Sequence, residues 1–133
     1  MIDRFKDGDK SINKPVVRDS VFPPANYQGG DFQGIIDKIK DGYFEKLGIN
    51  TIWISPVNDN PMTAWREYPA PNRWYTGYTW ILTNQRYKVE EQFGTMAKLK
   101  ELVKAGTQKR DKNTSRFCFP PCASRTSLVQ KAS

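Results

Sequence analysis

The feature that most restricts this chain is the segment INTIWISPV (residues 49–57), set between two stretches of helical periodicity. A short apolar, β-branched run without polar alternation, closed by Pro56, predicts a strand buried on both faces, as in parallel sheets. Before it, Phe32, Ile35, Ile36, Ile39, Tyr43 and Phe44 recur at spacings of three and four, which gathers them on one helix face. Asp31 suits the N-terminus of that helix on capping and electrostatic grounds. Leu47 continues the apolar face and Gly48 is the expected C-cap. Helix, glycine turn and buried strand make half of a βαβ repeat, so the expected fold class is α/β.

A second amphipathic helix is predicted from Phe93, Met96, Leu99, Leu102 and Val103, with Thr95 near its start. Residues 1–30, rich in Asp, Asn, Gly and Pro, read as an irregular loop. Residues 58–92 read as one long connection dense in aromatic residues and proline. Connections of that length in compact domains are usually functional or disordered. Periodicity stops after Ala105, and residues 106–133 are expected to form a separate tail without helix or strand.

Length and charge narrow the possibilities further. A closed eight-stranded α/β barrel needs roughly 250 residues, and 133 residues can supply only part of one. No apolar run reaches the roughly 18 residues of a membrane span. The opening MIDRFKDGDK lacks the apolar stretch of a signal peptide, and localisation is left open. The net charge is +7, yet residues 1–105 carry 15 Lys/Arg against 13 Asp/Glu, while residues 106–133 carry 6 against 1. The basicity therefore belongs to the tail, which argues against a nucleic-acid-binding domain. Cys118 and Cys122 also lie there, and without histidine or a second cysteine pair they cannot complete a zinc site.

Several stretches, in order, resemble the α-amylase family (glycoside hydrolase family 13), especially its cyclomaltodextrinase- and neopullulanase-like members. DRFKDGD (3–9) is similar to the end of the family's first barrel strand and the loop beyond it. NYQGGDFQGIIDKI (26–39) resembles the GGDxxGI entry to the first helix, and LGINTIWISPV (47–57) the second strand. REYPAPNRWYTGY (66–78) suits the loop before the family's HGYW motif, and FGTMAKLKELV (93–103) the second helix. The resemblance covers most of residues 3–105 and implies the first part of a (β/α)₈ barrel.

That resemblance implies an enzyme acting on α-1,4-linked glucans with retention, through a carboxylate nucleophile and a carboxylic acid/base. In the family these residues sit on later strands, beyond residue 133. The expected function is therefore a fragment of a retaining α-glucan hydrolase or transglycosylase that lacks its catalytic carboxylates. A non-catalytic carbohydrate-binding fragment is the alternative, with maltooligosaccharide as the partner and Trp65, Trp74, Tyr75 and Tyr78 as stacking residues. Asp37, Asp41, Glu45, Glu90, Glu91 and Glu101 are expected to be solvated residues on or beside the two helices. The resemblance also implies calcium held by Asp7, Asp9, Asn13, the Gly29 carbonyl and Asp31, oxygen donors of the kind that ion takes. Ile12 departs from the pattern, standing where the family often has Asn or Asp.

Two further departures are larger. TWILT (79–83) replaces HGYW, and the sequence after Ala105 replaces an AHxxGIKVLLD-type strand. Read one base later, the codons of both regions admit family-like sequence, so residues 79–87 and those beyond 105 are expected to be out-of-frame translation.

Overall fold

The computed structural model describes residues 1–17, 21–68, 71, 73–77, 85–108 and 116–118. Helix α1 (Phe32–Lys40) begins where expected. Asp31 is extended and its carboxylate accepts the Gly34 N–H at 2.6 Å, which satisfies one of the helix's free amide donors. Phe32, Gly34, Ile35, Ile36 and Ile39 form its buried face.

The single helix expected to reach Leu47 is broken instead. Gly42 takes φ +75, a left-handed conformation, and a short helix α2 (Tyr43–Lys46) follows. The Asp41 carboxylate explains the break: it accepts the Tyr43 N–H at 2.9 Å and pairs with Lys38 at 3.0 Å. This side-chain bond competes with helix continuation. The turn brings Phe44 onto Phe5, with ring centroids 5.6 Å apart and nearly parallel.

Strand β1 (Thr51–Trp53) is shorter than the expected run and is not buried on both faces. Ile54 just beyond it is buried, whereas Trp53 is 73% exposed. The apolar pattern was correct for a strand, but burial needs neighbours on both sides. Among the described residues β1 pairs only with β6 (Arg116–Cys118), in parallel, with Ile52 opposite Phe117. Parallel strands require a crossover connection, and helix α3 (Met96–Gln108) lies between these two in the chain and contacts β6.

Helix α3 runs three residues past Ala105, and β6 lies where no strand was expected. The extra turn is held locally, because the Thr107 hydroxyl donates to the Val103 and Lys104 carbonyls. The β6 backbone is held by pairing with β1, which no periodicity within the tail could reveal. At the other end, the Thr95 hydroxyl accepts the Lys98 N–H and caps α3.

The long connection is also structured. Strand β2 (Asn58–Asp59) pairs antiparallel with β5 (Gln85–Val89), and β3 (Ala64–Arg66) with β4 (Trp74–Thr76). The core gathers Ile2, Phe32, Ile35, Ile36, Ile39, Ile54, Val89, Phe93 and Leu102 between α1, α3 and the loops. Phe32 meets Phe93 edge-on at 6.1 Å, and the Phe32 N–H donates to the Phe93 carbonyl at 2.9 Å. Among the described residues no helix is long and apolar enough to cross a membrane.

The N-terminal segment crosses α1 at a contact that only glycine permits. A Cβ on Gly34 would stand 2.1 Å from the Lys6 carbonyl oxygen, and one on Gly8 would stand 2.3 Å from the Gly34 nitrogen. Alanine normally stabilises a helix interior over glycine by about 1 kcal/mol. Here the sign should invert: we expect Gly34→Ala to lower stability by about 1–3 kcal/mol, the usual range for overpacking. Urea unfolding followed by circular dichroism checks this, and a gain in stability would show that the crossing is looser than described.

Candidate functional site

The first loop is organised around two aspartates. Asp3 is buried and accepts the Gln28 and Gly29 N–H groups at 2.9 and 3.3 Å while pairing with Arg4 at 3.2 Å. Burial raises its carboxyl above the ordinary range, opposed by the Gln28 amide, Arg4 and the Gly29 amide. Asp31 is fully buried and accepts the N–H of Gly8 and, at 2.6 Å, that of Asp9, besides capping α1. These bonds close residues 7–13 onto the turn at Gly29 and Gly30.

The five oxygen donors implied for calcium are thereby divided. Asp7, Asn13 and Gly29 come together: the Asn13 amide donates to Asp7 Oδ2 at 2.9 Å, and a Cβ on Gly29 would lie 2.7 Å from Asn13 Nδ2. Gly29 has φ +88, so the turn suits glycine twice over. Asp7 Oδ1 and Asn13 Oδ1 are buried without a hydrogen-bond donor. Asp9 and Asp31 have other tasks. Asp9 accepts the Ser11 N–H at 3.0 Å and the Ser11 hydroxyl, which lowers its pKa and caps the 3₁₀ turn Lys10–Ile12. Asp31 has both oxygens occupied by backbone N–H groups. Among the described residues no three His, Cys, Asp or Glu side chains converge as a metal site. Any ion here would depend on a single carboxylate, Asp7, together with amide and carbonyl oxygens.

The aromatic candidates divide in the same way. In the β3–β4 pair Trp65 lies opposite Tyr75, so their side chains share one face. Tyr75 is 40% exposed, and the Trp65 ring would touch a Cβ on Gly77 at 3.5 Å. Ala64, Thr76, Arg66 and Trp74 occupy the other face. That face turns inward at one end: Ala64 and Thr76 are buried, and the Thr76 hydroxyl donates to the Ala25 carbonyl at 2.9 Å. Trp74 is tied to Val21 and Phe22, whose N–H donates to the Trp74 carbonyl at 3.1 Å. Trp74 is therefore on the packing side of the hairpin. Tyr78 lies outside the described residues, as do Trp80 and Cys122.

Glu90 overturns one sequence expectation. Its neighbour Glu91 is exposed and paired with Lys88 at 2.8 Å, and Glu101 is paired with Lys98 at 3.0 Å, as surface residues should be. Glu90 itself is 1% exposed. Its Oε2 accepts the Asn60 N–H at 2.8 Å, its Oε1 accepts the Gln92 N–H at 3.4 Å, and its own N–H donates to the Val57 carbonyl. These partners, some 30 residues back in the chain for Asn60, decide its burial, so no helical pattern around residue 90 could. It walls a surface cleft of about 260 Å³ with Asp59, Asn60, Met62, Lys88 and Gln92. The one local signal is the Phe93–Gly94 pair three residues on, marking a chain reversal.

Burial holds the Glu90 carboxyl above the ordinary range; the Asn60 and Gln92 amides oppose the shift, and Asp59 and Glu91 add to it. Burial, with Glu90, Asp3 and Asp59, likewise pushes the Tyr27 hydroxyl up and keeps it neutral. For an acid whose folded pKa is raised, the favourable contribution is complete below the unfolded pKa. It is lost as pH rises through the folded one. Glu90→Gln removes this titration, so its stability relative to the parent chain should improve steadily as pH rises from the ordinary carboxylate range toward neutrality. Paired urea titrations across that interval measure it, and a difference independent of pH would contradict the assignment.

Residues 1–112 match the family model of the alpha amylase catalytic domain. Among curated relatives, the cyclomaltodextrin glucanotransferase of Klebsiella oxytoca is 36% identical over 105 residues, covering 77% of this chain and 15% of the relative. Among solved structures, a cyclomaltodextrin glucanotransferase with a three-domain ABC distribution superposes with a TM-score of 0.71 at 30% identity, covering 90% of this chain and 23% of that one. The α-amylase of Geobacillus thermoleovorans, solved with acarbose, gives 0.61 at 27% identity, over 90% and 20%. The β1–α3–β6 crossover, with α1 packed beside it, is thus part of an α/β barrel, and the chain spans about a seventh of the curated relative's length. This chain belongs to the α-amylase family.

Proposed function

We propose that this chain is a portion of a retaining α-glucan hydrolase or transglycosylase, and that it binds α-1,4-linked glucan without cleaving it. One observation carries the binding reading: Trp65 and Tyr75 stand side by side on the outer face of a hairpin, in a chain of a family that processes α-glucans. Two adjacent aromatic rings offer the flat apolar surface on which pyranose faces stack, while the Tyr hydroxyl remains available to bond sugar hydroxyls. The Geobacillus relative is described in complex with acarbose.

Cleavage with retention requires one carboxylate as nucleophile and one carboxylic acid as proton donor, roughly 5–5.5 Å apart across the bond. The buried carboxylates described here serve other ends. Asp3 and Asp31 hold the first loop, and Glu90 holds the segment at Asn60. Backbone amides engage both oxygens of Asp31 and Glu90 and one oxygen of Asp3, whose other oxygen faces Arg4, which leaves all three poorly suited to attack a sugar.

The Asp7–Asn13–Gly29 pocket fits a calcium ion, because two of its oxygens are buried without donors and the ion prefers hard oxygen ligands. The Asp7 carboxylate, the Asn13 amide oxygen and the Gly29 carbonyl would hold it, while Asp9 and Asp31 shape the loops around it. Bound there, calcium would supply positive charge that fastens the first loop to the glycine turn.

The test is a titration of intrinsic fluorescence with maltoheptaose, alongside a reducing-sugar assay. Saturable binding without release of reducing ends is expected. Trp65→Ala should weaken binding roughly tenfold, the scale of a lost aromatic contact, and Trp74→Ala should weaken it far less. Equal losses in both variants, or no binding by the parent chain, would defeat the platform reading; sustained hydrolysis would defeat the non-catalytic one.

A further inference from the structure

We propose that Gln92 couples the calcium pocket to the hairpin that carries Trp65, so that an ion at Asp7 and Asn13 orders the segment leading to the sugar platform. The inference rests on the calcium reading above and adds a route to it. Lys14 follows Asn13 directly, and its backbone N–H donates to Gln92 Oε1 at 3.2 Å, across 78 residues of sequence. Gln92 is 3% exposed. The other end of its amide contacts the Met62 sulfur at 3.1 Å, and its backbone N–H donates to Glu90, which in turn accepts the Asn60 N–H. Met62 and Asn60 lie in the short stretch between β2 and β3, and Trp65 is the middle residue of β3. One buried side chain therefore touches both the end of the metal loop and the start of the hairpin.

A second link exists, but it is the weaker one. Lys14 Nζ lies 3.9 Å from Glu91, with both side chains more than half exposed, and such pairs are screened by water and salt. Gln92 works in a buried setting, where a lost partner leaves unsatisfied polar groups. The ends of the route are also suited to coupling. The pocket holds oxygens lacking donors, so occupancy changes the charge balance beside Asn13. Coupling is reciprocal, so whatever loosens the hairpin must weaken the ion by the same factor.

Hydrogen exchange of the full chain in calcium chloride and in EDTA, read by mass spectrometry, tests the proposal. In the parent chain calcium should slow exchange at residues 7–14 and 29–31, and also at 57–66. Gln92→Met fills the same space without the acceptor. It should keep the first effect and lose the second, with calcium affinity weakened roughly fivefold. Lys14→Ala removes only the exposed pair and should keep both. If Gln92→Met does not fold, Met62→Leu cuts the sulfur contact at a half-exposed site and should reduce the calcium-dependent protection of 57–66 while leaving 7–14 protected. Protection of 57–66 that survives these variants, or is missing from the parent while 7–14 is protected, overturns the coupling and leaves the calcium reading standing. No protection at 7–14 in the parent overturns both.

Discussion

The first loop, with the residues that would hold calcium, depends on the Asp31 carboxylate. It sits at zero exposure and accepts backbone N–H bonds from Gly34 in one direction and from Gly8 and Asp9 in the other. The first bond starts α1; the others pull the N-terminal loop over the first turn of the same helix. A buried carboxylate is tolerable only when its lone pairs are occupied, and here both oxygens are. The close approach needs glycine on each side: a Cβ on Gly30 would stand 2.1 Å from the Ile2 carbonyl oxygen, as tight as at Gly34. Helix start, loop closure and glycine pattern are one structural event.

The polar interior continues from there as a chain of backbone-directed bonds. Asp3 fastens the Gln28–Gly29 turn, Gln92 reaches the end of the first loop, and Glu90 reaches Asn60. Each of these side chains holds a loop to a helix or to another loop. None is devoted to sheet structure, which among the described residues consists of two-stranded pairs. This division suits a portion of a barrel. Loops at the site are held by buried polar groups, while β1 keeps an exposed Trp53 that a complete sheet would cover.

Much of this was legible in the sequence, for reasons that differ by element. The α1 face was readable because Ile35, Ile36 and Ile39 obey a local 3.6-residue period. Its break at Asp41 went unread, although Asp-Gly is a turn signal, because the apolar period continues through Tyr43 and Phe44; the Tyr43 N–H bond to Asp41 is what holds the turn. The strand at β1 was readable from β-branched residues, but its burial depends on neighbours elsewhere in the chain. Pairing of Trp65 with Tyr75 was missed, although the proline-rich stretch YPAPN between two aromatic runs is a turn signal. From sequence Glu90 reads as a surface residue, because charge predicts exposure wherever partners are unknown. The resemblance supplied Asp7, Asp9, Asn13, Gly29 and Asp31 as one set; the structure brings Asp7, Asn13 and Gly29 together and engages Asp9 and Asp31 otherwise.

The most direct test of this account is equilibrium urea unfolding of Asp31→Ala against the parent chain. An ordinary N-cap is worth about 1 kcal/mol. An acceptor shared between a helix start and two loop amides should cost about 3 kcal/mol or more when removed, since each buried N–H left without a partner adds a penalty of order 1–3 kcal/mol. The account predicts the larger loss. A loss no greater than that of an ordinary cap would mean that the first loop closes without Asp31, and would contradict the claim on which the site rests.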